Sequence, residues 1–138
     1  MMSQPIAADD FYADGRGPEL QRVIWGACGQ RLQAIEYYNP DNVYDAAHLR
    51  HVSFHGFQVV AITPEEVIDY RGLRTAFSTH APAAAIDCGQ SPWFQSFAPR
   101  HLSQCSHFQL LFYDELFDII CERLTFSRGP YSYATNVA

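Results

Sequence analysis

The chain contains no lysine: its nine basic residues are all arginine, against fifteen Asp and Glu, for a formal net charge of −6. A nucleic-acid-binding surface needs a concentrated basic face to neutralise phosphates, so this balance argues against one. The missing lysine also removes Schiff-base chemistry and the phosphate-binding loop, whose pattern requires it. No apolar run approaches the ~18 residues of a membrane-spanning helix, so no membrane partner is expected. The N-terminal MMSQPIAADD is acidic and lacks the apolar segment of a secretory leader. Cysteine is sparse: Cys28, Cys88, Cys105 and Cys121 form no C-x-x-C pair, which excludes a zinc ribbon and a dense disulfide framework. Together these absences place the chain in a reducing cytoplasm. There is no internal repeat and no low-complexity tract.

What is present is apolar and aromatic. With 138 residues, 48% of them hydrophobic, the chain can bury a core without metal or disulfides. It reads as a single domain over 1–138, with loose polar ends at about 1–10 and 128–138. The most informative stretch is Ser106 to Phe126, SHFQLLFYDELFDIICERLTF. Reversal at Asp114-Glu115 sets Phe112 against Phe117, Leu110 against Ile119 and Phe108 against Cys121, an all-apolar face. The opposite face is mixed and sets His107 against Glu122. A four-residue loop from Tyr113 to Leu116 suits this sequence better than a two-residue turn. An amphipathic helix over Glu115 to Leu124 is the competing reading, but Ile, Phe, Tyr and Thr favour strands.

Other elements follow from local punctuation. Pro18 and Glu19, with an apolar stripe of Leu20, Val23 and Ile24, predict a short helix over about 18–27. Gln30 to Tyr38 reads as a strand, and Asn39 to Asn42 as a turn. Arg50 to Ile62 suggests a second hairpin about His55-Gly56, pairing Phe54 with Phe57 and Val52 with Val59; one long bulged strand is the alternative. Thr63-Pro64-Glu65-Glu66 has the form of a capping box and predicts a second short helix. Leu73 to Gly89 shows no strong period and suggests only a strand near Ala84 to Asp87. Ser91-Pro92 starts a helical turn carrying Trp93, Phe94 and Phe97. The expected fold class is therefore α+β: an antiparallel sheet built from hairpins at about 50–62 and 106–126, with two or three short helices on one face.

Few residues form a chemical pattern. His48, His51 and His55 are spaced as helical metal ligands, but they fall in strand and turn. His101, Cys105 and His107 are the better candidate metal set, for a divalent ion, with one more ligand required. No G-x-S-x-G or cysteine-centred signature marks a nucleophile. Cys88 lies beside Asp87, which opposes thiolate formation. No catalytic residue is assigned and no cofactor is predicted.

SPWFQSF followed by HFQLLFYDELFDIICERLTF, an acidic turn after a His-aromatic strand and then FDIICE, resembles the C-terminal part of small uncharacterised bacterial proteins, some of which are immunity proteins encoded beside toxins. The resemblance covers about a quarter of the chain and implies a cytoplasmic, non-enzymatic α+β protein that binds a partner. The first expectation is thus a small interaction protein, immunity-like and capable of self-association, whose acidic charge suits a basic partner. Its candidate binding residues are His107, Gln109, Leu111, Asp118, Ile120, Glu122 and Trp93. The alternative is a small-molecule- or metal-binding protein or enzyme built on the His/Cys cluster.

Overall fold

A computed structural model describes residues 3–7, 9–26, 29–69, 77 and 80–133. The described chain forms nine strands in two antiparallel sheets. The first sheet has the order β1-β6-β7-β8-β5, from Gln4–Ile6 (β1), Ala85–Gly89 (β6), Ser106–Leu111 (β7), Glu115–Cys121 (β8) and Val59–Pro64 (β5). The second has the order β2-β3-β4-β9, from Glu19–Trp25 (β2), Leu32–Tyr38 (β3), Arg50–His55 (β4) and Arg123–Arg128 (β9). Among the described residues helix comprises one turn, Pro92–Gln95 (α1), the single residue Phe77, and 3-10 turns at Pro40–Asn42, Ala46–His48 and Glu65–Val67. The fold is mainly β, which corrects the α+β expectation. None of the described helices is long and apolar enough to cross a membrane.

The two expected helices fail for separate reasons. Residues 19–25 form β2, whose pairing with β3 shifts register between Leu20 and Arg22 and again between Ile24 and Trp25. Such bulges break the period of two, so Leu20 and Val23 reach the same core although they stand three apart. A helix-like spacing was thus produced by an irregular strand. At the second site Thr63 stays in β5, paired with Leu116, and among the described residues there only Glu65–Val67 turns, without a side-chain cap; Tyr70 and Gly72, where that helix was expected to continue and stop, lie outside the described residues.

The expected hairpin over 50–62 is also corrected. Val52 pairs with Phe126, and Val59 with Ile120, so β4 and β5 belong to different sheets. The chain bends from β4 into β5 through Gly56, at φ +65, where the Glu122 side chain occupies the space a Cβ would need. β8 passes into β9 across the same Glu122, whose N–H donates to His55 O at 2.8 Å, while Gln58 N–H donates to Ile120 O at 2.9 Å. Two long bent strands therefore run side by side through both sheets, closer to the bulged-strand alternative. Glycine takes this conformation without the Cβ penalty of other residues.

The chain does reverse between β7 and β8, in a shifted register. Leu110 pairs with Phe117, Phe108 with Ile119, and Leu111 with Leu116. The loop is Phe112 to Glu115, closed by Phe112 N–H to Glu115 O at 2.9 Å. A shift of two keeps every side chain on its expected face. Phe108, Leu110, Phe112, Phe117, Ile119 and Cys121 accordingly all lie in the main core, against Ile35, Tyr37, Val52 and Phe54 of the other sheet.

At the centre of that core stands Phe11, fully buried, with its ring edge-on to Tyr37 at 5.0 Å and Phe112 at 5.1 Å. Segments near both ends also join the sheets or pack on them. β1 pairs with β6, and buried Tyr131 sends its N–H to the Glu36 carboxylate at 2.9 Å. That carboxylate also takes a bidentate contact from Arg22, at 3.0 and 3.1 Å.

Candidate functional site

His107 organises the mixed face of the β7–β8 hairpin, though not with the expected partner. In the observed register it pairs with Ile120, and Glu122 lies beyond the end of β8. Its Nε2 instead meets Asp118 Oδ1 at 2.7 Å, and its Nδ1 meets Ser91 Oγ at 2.7 Å. Gln109 Nε2 donates to the same Asp118 oxygen at 3.0 Å. The imidazole is 95% buried, with the Trp93 ring 4.7 Å away. In the neutral imidazole, with Asp118 as a carboxylate, Nε2 carries the proton and Nδ1 accepts from the Ser91 hydroxyl. Ser91 arrives from the segment after β6: it caps α1, its Oγ accepting the Phe94 N–H at 3.2 Å.

The remaining predicted residues divide into covered and open. Ile120 is fully buried under Phe94, Leu102 and Cys105, because the chain folds its own 91–105 segment across this part of the hairpin face. Trp93 packs at the edge of that cluster. Gln109, Leu111 and Asp118 are half-buried, and Glu122 is exposed at the sheet corner. His101 is exposed, Cys105 is buried with its Sγ directed at the Gly56 and His101 carbonyls, and His107 points into its serine and aspartate contacts. Among the described residues no group of three or more His, Cys, Asp or Glu side chains is placed to hold a metal ion. His48, His51 and His55 are bound separately, to Asp45, Gly129 O and Thr125. Burial, and after it Asp118 and Asp87, pushes the Cys88 thiol up to about 12, so it is no thiolate at neutral pH.

A second constellation surrounds the hairpin tip. Tyr113 N–H donates to Pro18 O at 2.9 Å, and Glu65 N–H donates to Asp114 O at 2.8 Å, which pins the tip between the start of β2 and the end of β5. The Arg16 guanidinium lies 4.0 Å over the Tyr113 ring and pairs with Glu19 at 2.9 Å. Tyr44 Oη donates to the other Glu19 oxygen at 2.6 Å. Tyr44 is 72% exposed yet holds φ +63, a conformation bulky side chains rarely adopt, and Glu19 anchors it there. Beside this chain of contacts lies a cavity of about 360 Å³ lined by Arg16, Gly17, Leu111, Phe112 and Tyr113 among others. A Cβ on Gly17 would stand 2.8 Å from Leu111 O, so the wall of the cavity requires glycine there.

Sequence reasoning singled out His107, Asp118 and Leu111 as partner-binding candidates, but neither Ser91 nor the Arg16–Glu19–Tyr44 chain. For Ser91 there was a signal: Gly89-Gln90-Ser91 between a strand and a helical turn is half of a nucleophile-elbow pattern. For the tip there was none, since its members come from four separated segments. No family model, no curated protein and no solved structure matches the chain.

Proposed function

We propose that the protein binds a protein partner through the surface around the β7–β8 tip. The observation that carries this reading is the linked set Tyr113, Arg16, Glu19 and Tyr44, of which Tyr113 and Arg16 line an apolar cavity. Tyrosine and arginine are the side chains most enriched where interfaces concentrate their energy. Val67, 67% exposed in the 3-10 turn that follows β5, adds an apolar group next to the tip. The surroundings are acidic: Glu65, Glu66 and Asp114 are exposed, and the net charge is −6. The partner therefore presents a basic face, as a toxin held by an immunity-type protein would, and opposite charge speeds their encounter. A reducing cytoplasmic setting fits Cys88, Cys105 and Cys121, all free thiols.

The test is co-purification from the native cell with wild-type protein, a Tyr44→Ala/Tyr113→Ala variant and a distal Gln30→Ala control of equal thermal midpoint. A basic protein that follows the wild type and the control but leaves the double variant supports the assignment. Equal recovery of every bound protein with all three refutes it.

A further inference from the structure

The relay on the other side of the hairpin holds more polar chemistry than a helix cap needs. A cap requires only the Ser91 oxygen and the Phe94 N–H. Here that oxygen is also bonded to a buried imidazole, which is bonded in turn to a carboxylate fixed by Gln109. From this order of groups we infer that Ser91 is a nucleophile toward small uncharged acyl esters, with His107 as its base and Asp118 as the group that orients the imidazole.

The hydrogen-bond directions all run one way. Asp118 accepts from Nε2, which leaves Nδ1 free of its proton and facing the Ser91 hydroxyl at 2.7 Å. The Phe94 N–H fixes the rotamer of Oγ, so attack needs no rearrangement of the serine. When Oγ bonds to an ester carbonyl carbon, its proton passes to Nδ1 of His107. The imidazolium, stabilised by Asp118, returns that proton to the departing alkoxide as the ester C–O bond breaks, leaving acyl-Ser91. Water then attacks the acyl group by the same route in reverse, releasing the carboxylic acid. The ring roles are exchanged relative to the usual serine hydrolase, with Nδ1 toward the nucleophile, but the sequence nucleophile, base, orienting acid is the same.

The surroundings set the substrate class. Trp93 packs against the imidazole and against Phe97 at 5.3 Å, giving an apolar flank. Asp118 in the relay and Asp87 beside Cys88 supply negative charge nearby, adding to the burial that raises the Cys88 thiol, and this charge disfavours anionic acyl groups. Uncharged acyl chains fit both conditions.

The experiment uses the full chain with a fluorophosphonate probe and p-nitrophenyl butyrate. The expected result is a covalent adduct mapped by mass spectrometry to Ser91, an ester-hydrolysis burst, and loss of both in Ser91→Ala. Asp118→Asn should slow labelling of Ser91 by about a hundredfold or more. Because the adduct is mapped on the wild type, the result does not depend on any variant folding. No adduct, an adduct only at another residue, or hydrolysis unchanged in Ser91→Ala overturns the inference and leaves the relay a structural lock between α1 and the hairpin. Neither outcome bears on the tip surface, whose variants are distinct.

Discussion

Replacing Phe11 by alanine should be among the most damaging single changes in the chain. Phe11 belongs to no strand, only its neighbour Tyr12 making an isolated bridge to Ala83, and the sequence around it, AADDFYADG, is largely polar and small. Yet its ring is fully buried and touches Tyr37, Phe112 and Phe126 at 5.0, 5.1 and 5.8 Å. Phe→Ala in a packed core costs about 3–5 kcal/mol, because the lost transfer energy is joined by the cavity left behind. Phe11 sits between both sheets, where neighbours on two sides must move together to close that space, so about 4 kcal/mol is expected here. For a chain of this length that corresponds to a fall in melting temperature of roughly 10–15 °C. Phe11→Leu, which keeps most of the volume but loses the edge-on ring contacts, should cost only about 1–1.5 kcal/mol. Urea unfolding followed by tryptophan fluorescence measures both. A loss below about 1 kcal/mol for Phe11→Ala, with an unchanged denaturant slope, would mean that the segment does not plug the core and that the two sheets close without it.

Two further predictions concern the corner and the tip. Gly56→Ala should destabilise by about 2 kcal/mol, from its φ of +65 and from displacement of Glu122, and a double-mutant cycle with Glu122→Ala should recover only the steric part; strict additivity would show that Glu122 does not pack there. Glu115 has its carboxyl raised above the usual range by burial and then by Asp114, so its ionised form opposes folding, and the penalty is complete above the folded pKa and absent below the unfolded one. Glu115→Gln should therefore raise the thermal midpoint at pH 7.5 and leave it unchanged near pH 3. An equal gain at both pH values would remove desolvation as the cause.

The legible part of the fold was the part governed by alternation alone. In β7 and β8 every second residue is apolar, and that pattern assigns Phe108, Leu110, Phe117 and Ile119 to the core. The same pattern is blind to a shift of two, since both registers bury the same residues. What chose between them lies outside the hairpin: Phe112 turns inward against Phe11, and Tyr113 is tied to Pro18. β2 defeated the pattern for the opposite reason. Its two register shifts place Leu20 and Val23 on one face and Ile24 on the other, where Ile24 packs with Ala34 and Tyr131. Local spacing then imitates a helix, and only the partner strand reveals the bulges.

The candidate sites show the same dependence on long-range contacts. The sequence pattern set Glu122 against His107 across the ladder, but that pairing hung on the register: the shift of two sets Ile120 there, and the carboxylate that His107 meets is Asp118. The exchange has a consequence for exposure. Glu122, at the corner, would have held His107 at an open edge, whereas Asp118 lies beside Gln109 in mid-strand and holds the ring under Trp93, next to Ser91. Register thus converts a surface ion pair, worth little in water, into a buried relay whose hydrogen bonds are strengthened by the low local dielectric. At the tip, register acts the other way. Starting the loop at Phe112 sends that ring inward and leaves Tyr113 outside, where Arg16 covers it and Glu19 links it to Tyr44. A tip formed one residue later would leave Phe112 paired with Phe117 in the ladder and would not fix Tyr113 against Pro18. The two faces of this hairpin therefore owe their chemistry to one displacement, which Phe11 and Pro18, far upstream in the chain, impose.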